Sequence, residues 1–237
     1  MLKERLRRLI LGRPVGSAQA AEELVSAGIE GKHASQTQKS EDGLSTSYAR
    51  HSHALEQFAC HIRANPGLSI LDLGGVRQAN VTFITELGHK LYAQDFLRSF
   101  SEMLGDSGDR QDDQQQVAIF VEQNLNFPDA FFDGMLIWDL LEFLPPLLLK
   151  ETVSRLFRIG KPGCHLLTLF HAEERSALVP AYAYRILSQD QLSLISCGLR
   201  QPVQVFNNRS IEKLFQQFQS VKFFLTRDQL REVIVLR

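Results

Sequence analysis

Two acids and a pair of glycines carry the chemistry that is easiest to read in this chain. Leu68-Ser69-Ile70-Leu71-Asp72-Leu73-Gly74-Gly75 is a short apolar run ending in an acid and a glycine turn. Lys90-Leu91-Tyr92-Ala93-Gln94-Asp95 is a second run, ending in a second acid. Between them Val81, Phe83, Ile84 and Leu87 have the spacing of a helix face, stopped by Gly88. The pattern predicts a β-α-β unit of the nucleotide-binding kind. Glycines at its first turn let the backbone approach a ligand closely. An acid at the tip of the second strand is placed to accept hydrogen bonds from a ribose diol. Asp95 also suits the N-cap of the helix that follows it, but its spacing from Gly74 favours the ribose role.

His171 stands just past a fifth apolar run, Cys164 to Phe170. Strand ends in open α/β sheets point at the ligand cleft, which makes His171 the candidate general base; an exposed loop histidine is the alternative. No cysteine stands beside a base. No His/Asp set has metal-ligand spacing, so no metal is expected. Cys60, Cys164 and Cys197 are far apart and odd in number, which argues against a disulfide framework.

The elements that must position these residues alternate along the chain. A helix is expected over 46–65, with Tyr48, Ala54, Phe58 and Ile62 near one face, and a helix over 96–104. Val117 to Val121 reads as a third strand and Phe132 to Trp138 as a fourth. Pro145-Pro146 opens a helix running to Ile159, since proline is tolerated in a first turn. Gly160 to Gly163 is a tight turn, and residues 105–116 form a hydrophilic loop. A helix over 210–218 leads to Val221–Leu225 and then Arg231–Leu236. The link between these two is too short for a right-handed crossover, so they must form an antiparallel hairpin. The expected fold is α/β and Rossmann-like. It has a mostly parallel seven-stranded sheet, a C-terminal antiparallel hairpin strand, and helices on both faces.

With 237 residues, 44% hydrophobic and 22% charged, the chain can bury a sizeable core. A net charge of -1 provides no global field to recruit nucleic acid. No apolar run reaches the roughly 18 residues of a membrane span, and the cysteine usage fits a reducing cytoplasm. Residues 1–45 are expected to form a basic helix and a flexible polar segment ahead of a domain spanning 46–237. Leu2, Leu6, Leu9 and Ile10 lie on one stripe of that helix among Lys3, Arg5, Arg7 and Arg8. Such a stripe either docks on the domain or meets an anionic partner or membrane surface.

A parallel sheet ending in an antiparallel hairpin resembles the class I S-adenosylmethionine-dependent methyltransferases. Asp72-Leu73-Gly74-Gly75 looks like that family's first motif, and Asp95 stands where its ribose-binding acid stands. Phe127-Pro128-Asp129-Ala130-Phe131-Phe132-Asp133, with Trp138-Asp139-Leu140-Leu141-Glu142-Phe143-Leu144, looks like its fourth-strand region. Ile159-Gly160-Lys161-Pro162-Gly163 looks like the turn before its fifth strand. The family's motif has three alternate glycines. Here the series reads Gly74, Val76, Gln78, which narrows the place of the methionine part unless the loop bends differently, with Gln78 or Asn80 bonding the ligand.

The resemblance implies S-adenosylmethionine as cofactor and methyl transfer to a small-molecule acceptor. It implies that Asp72 orients the glycine loop and the cofactor's amino group, with Gly74 and Gly75 beneath. Phe96 would lie against the adenine or equally be core, and Asn124 and Leu125 would meet the adenine's edge, with Glu122 and Gln123 as the alternative. Trp138 and Asp139 would face the methionine end or the acceptor, unless Trp138 is simply core. Tyr182, Tyr184 and Arg185 fall where the family builds acceptor pockets. The rivals are a non-catalytic binding or scaffold module of the same fold and a nicotinamide-dependent oxidoreductase. The incomplete GxGxxG and the terminal hairpin disfavour the latter.

Overall fold

The computed structural model describes residues 47–105, 113–172, 178–224, 226 and 230–237. The basic helix and polar segment expected in residues 1–45 lie outside them, as does most of the loop expected at 105–116.

Six strands form the central sheet. In chain order they are β2 (Ser69–Asp72), β3 (Lys90–Ala93), β4 (Phe132–Trp138), β5 (Gly160–His171), β8 (Ser220–Phe224) and β9 (Leu230–Leu236). Their spatial order is β3-β2-β4-β5-β9-β8. The pairs among β3, β2, β4 and β5 are parallel, and β9 runs antiparallel to both of its neighbours. The Rossmann-like α/β fold and the terminal hairpin are therefore present.

The expected seventh strand is not. Residues Val117 to Val121 lie within a helix, α4 (Gln114–Asn124). Asp113 caps it, its Oδ1 accepting from the amides of Gln115 and Gln116. Val117, Phe120 and Val121 then fall on one buried helical face. A five-residue apolar run fits either period, and the cap decides.

The expected helix over 46–65 is also shorter than its span. Residues Ser47–His51 form β1, and α1 covers His53–Arg63. The boundary is set by Ser52, whose Oγ accepts from the Leu55 amide at 3.1 Å as an N-cap. Strand β1 pairs antiparallel with β7 (Gln191–Arg200), which pairs with β6 (Val179–Ile186), in a second sheet of order β1-β7-β6.

Helices α2 (Gln78–Glu86), α3 (Phe96–Met103), α5 (Pro146–Ile159) and α6 (Asn208–Leu214) complete the described set, with a 3-10 turn at Leu140–Phe143. One core cluster joins the central sheet to α4, α5 and α6 through Phe120, Phe132, Leu156 and Phe215. The other joins it to α1, α2 and the second sheet through Phe58, Ile84, Leu167, Tyr184 and Leu194. Buried Glu232 of β9 fastens the two sheets. It accepts from Arg50 of β1 at 2.5 Å and from the Ala54 amide at the start of α1 at 2.9 Å. Among the described residues no helix is long and apolar enough to cross a membrane.

Candidate functional site

The last residue of β2 is the hub of a buried polar network. Asp72 is fully buried and accepts hydrogen bonds from the Gly74 amide (2.9 Å), Asn80 Nδ2 (2.9 Å) and Trp138 Nε1 (2.7 Å). Burial pushes its carboxyl pKa up, against the lowering effect of these donors. Asn80, at the start of α2, also donates to the Tyr184 carbonyl and accepts from the Ile186 amide. One side chain thus ties β2, α2 and β6 together. Both Nδ2 hydrogens of Asn80 are committed, Gln78 is exposed and donates to Thr82, and neither residue lines the cleft.

Trp138 ends β4 with a positive φ of 57°. A bulky residue is rare there and costs on the order of 1–3 kcal/mol unless its surroundings over-determine it. Here they do. Besides the bond to Asp72, its carbonyl accepts from Thr168 Oγ1 at 2.9 Å, and its ring lies flat on Tyr184, with centroids 5.0 Å apart and planes 2° apart. The indole also explains Gly74. A Cβ there would sit 2.6 Å from Trp138 Cδ1 and 2.8 Å from Nε1, so this glycine makes room for the indole. Gly75 adopts φ +80°, and a Cβ on it would meet Asp95 Oδ2 at 3.1 Å. Val76 is 69% exposed.

These strand ends open into a cleft of about 350 Å³, within the range of small-ligand sites. Gly74, Trp138 and Asp139 line it from the central sheet, Asp95 and Arg98 from α3, and Tyr182 and Tyr184 from β6. Arg77 and Arg200 complete its walls. Asp95 caps α3, its Oδ1 accepting from the Arg98 amide at 3.2 Å. Three buried atoms on cleft-lining residues, Asp139 Oδ2, the Tyr184 hydroxyl and Arg77 Nε, have no hydrogen-bond partner. Burial pushes the Asp139 pKa up to about 6, with a smaller opposing pull from His171 and a push from Glu142. Asp139 and the Tyr184 hydroxyl couple electrostatically without reaching hydrogen-bond geometry. Burial and the Asp139 charge hold that hydroxyl well above its ordinary pKa.

Several residues expected at the site lie away from the cleft. His171 is one of them. It is 4% exposed and does not line the cleft. Its Nδ1 meets Glu142 Oε2 at 2.6 Å and its Nε2 meets the Pro180 carbonyl at 3.1 Å. Both ring nitrogens are engaged, so the ring offers no free lone pair to a ligand. Burial pulls its pKa down, but the Glu142 carboxylate outweighs that, and the net direction is up.

Phe96 is fully buried, its ring edge-on to Phe120, and is core rather than a base platform. Leu125 is fully buried, and Asn124 bonds to Gln94 and the Phe120 carbonyl; neither lines the cleft. Arg185 is exposed on β6 and does not line it either. Strands β6 and β7 escaped the sequence reading although a signal existed: Tyr182, Tyr184 and Ile186, then Leu192 and Leu194, alternate with period two. The fold also brings His51, His53 and Glu56 together on the surface, with ligand atoms all within 4.8 Å of one another.

No protein-family model and no curated protein sequence matches this chain. Solved structures of similar shape include a SAM-dependent methyltransferase from Archaeoglobus fulgidus, at 13% identity over 77% of this chain and 91% of that one, with a TM-score of 0.46. A S-adenosylmethionine-dependent methyltransferase from Clostridium acetobutylicum is 12% identical over 77% and 90%, also with a TM-score of 0.46. The 1,6-didemethyltoxoflavin-N1-methyltransferase of Burkholderia thailandensis, solved with 1,6-didemethyltoxoflavin and S-adenosylhomocysteine, is 12% identical over 77% and 76%, with a TM-score of 0.40. Each likeness is weak, and the reading of the site rests on the chain's own geometry.

Proposed function

We propose that the cleft binds S-adenosylmethionine and that the protein transfers its methyl group to a small-molecule acceptor. The observation that carries this reading is the cleft at the C-terminal ends of β2 and β4, where Asp139 Oδ2 and the Tyr184 hydroxyl are buried without partners. Buried polar atoms call for partners; these two face each other, and a ligand in the cleft would complete the set. Val76 turns outward, so the missing second glycine does not narrow the cleft. Asp95 at the lip would accept from the ribose hydroxyls, beside the Gly75 backbone. When bound, the cofactor supplies a methyl group already activated on a sulfonium. Holding an acceptor in line with it can then provide most of the rate. At neutral pH Asp139 is largely ionised and able to take the acceptor's proton, with Tyr184 orienting it. The cleft's size and its cover by β6 suit a small acceptor better than a macromolecule.

One observation favours a second reading, a binding module of the same fold. The indole of Trp138 lies over Gly74 and uses Asp72 Oδ1, the acceptor that the resemblance assigns to the cofactor's amino group. Calorimetric titration with S-adenosylmethionine, S-adenosylhomocysteine and NAD separates the possibilities. Methyl transfer requires that the first two bind and NAD does not. No binding by the wild type, with binding restored in Trp138→Ala, would establish the module.

A further inference from the structure

We propose a zinc-class divalent metal site at the junction of β1 and α1, formed by His51, His53 and Glu56, with Asp190 beside His51. The reading is independent of the cleft, which none of these four residues lines.

The sequence here is His51-Ser52-His53-Ala54-Leu55-Glu56. His51 is the last residue of β1, Ser52 is the cap, His53 is the first residue of α1, and Glu56 lies in its first turn. Two residues apart, His51 and His53 would share a face on a continuous strand, and they stay together where the strand passes into the helix. Their rings stand 4.5 Å apart at 66°. Glu56 Oε2 is 3.5 Å from His53 Nδ1 and 3.9 Å from His51 Nε2. Donors bound tetrahedrally to zinc at about 2.0–2.2 Å lie roughly 3.3–3.6 Å from one another. The gaps here are therefore near those of a loaded site and close with small rotations of exposed side chains.

Beside His51, outside this three-residue cluster, stands a further carboxylate on the turn between β6 and β7. Asp190 Oδ2 is 3.5 Å from His51 Nε2. Its backbone is anchored, since the Asp190 carbonyl accepts from the Ser52 amide at 2.8 Å, and its Oδ1 accepts from Ser188 Oγ at 2.7 Å. Two imidazoles with carboxylates suit zinc and its transition-metal neighbours. Magnesium and calcium prefer oxygen donors alone. The ion would join the end of β1 to the first turn of α1, beside the β6–β7 turn. The ordinary alternative is a surface cluster of histidine–carboxylate ion pairs that holds no metal.

The test is a calorimetric titration of the untagged, chelator-treated full chain with zinc chloride, with magnesium chloride in parallel. One equivalent of zinc should bind with micromolar or tighter affinity, and magnesium should not compete. Replacing zinc by cobalt(II) should produce the visible absorption of a low-coordinate site. His53→Ala and Glu56→Gln, both at exposed positions, should each weaken zinc binding at least about tenfold and leave the melting temperature of the metal-free protein unchanged. Asp190→Asn should weaken it less. Absence of zinc binding, equal binding of magnesium, or zinc affinity unchanged in His51→Ala/His53→Ala would overturn the proposal.

Discussion

The indole N–H of Trp138 donates to Asp72 Oδ1 at 2.7 Å, and the same oxygen accepts the Gly74 amide at 2.9 Å. One carboxylate oxygen therefore sets the end of β4, the turn after β2, and the distance between them. The left-handed backbone of Trp138 and its stacking on Tyr184 make the arrangement rigid, so the floor of the cleft is fixed before any ligand arrives.

Gly74→Ala should destabilise the fold by about 1–3 kcal/mol through overpacking, because its Cβ would press on the indole at 2.6 Å. Trp138→Phe should relieve part of that cost. A double-mutant cycle by denaturant unfolding would then show a coupling of about 0.5–3 kcal/mol. Strictly additive effects would mean that Gly74 is required for another reason.

Asp139→Asn should stabilise the protein at neutral pH. A carboxyl with a native pKa of about 6 against an ordinary 3.8 binds a proton more readily when folded, so wild-type stability falls as pH rises between those values. The variant escapes this loss, which is up to about 3 kcal/mol. Unfolding midpoints measured from pH 4 to 7 should diverge over that window and run parallel above it. If Asp139 takes the acceptor's proton, kcat/KM of the wild type rises through pH 6, and the variant loses about 10²–10⁴-fold.

Asp95→Asn keeps a capping side chain but removes the charge. Melting should hardly change, while affinity for S-adenosylhomocysteine should fall at least about tenfold, since bonds to a charged acceptor contribute roughly 1.5–3 kcal/mol. Unchanged affinity would assign Asp95 to capping alone.

His171→Ala should cost about 3–5 kcal/mol, because it leaves Glu142 buried and unpaired. In the wild type the pKa of His171 is raised. Its contribution is therefore complete below the ordinary value of 6.5 and is lost as pH rises through the higher folded value. Guanidinium unfolding at several pH values checks both statements.

Val76→Gly should leave ligand affinity within about 0.5 kcal/mol of the wild type, as for other exposed positions. A marked gain on titration with S-adenosylhomocysteine would show instead that Val76 blocks the cleft.

Strands β2, β3 and β4, helix α5 and the terminal hairpin were legible because each is announced by its own neighbours: an apolar run, a glycine turn, a proline pair. Residues Val117 to Val121 were misread because five apolar residues satisfy two periods, and the deciding group, Asp113, stands outside the run. Strand β1 was hidden for a different reason. It exists through pairing of Tyr48 with Leu194, far along the chain, and local propensity does not record such a partner. The same holds for the site. Asp95, Trp138, Asp139 and Tyr184 were named from spacing or resemblance, yet nothing in the sequence shows that Trp138 fills the space above Gly74. Nor does it show that Glu142 takes up His171.

Glu232 holds Arg50 and the Ala54 amide across separations of 182 and 178 residues. Contacts so distant close late, since the loop entropy must be overcome before they form. During synthesis β2, β3 and β4 can pair while β1 still has no anchor. The clasp from β9 to β1 and α1 closes only after Glu232 has been synthesised. Until then the nascent chain presents an open sheet face, which is the interval in which it most needs protection from aggregation.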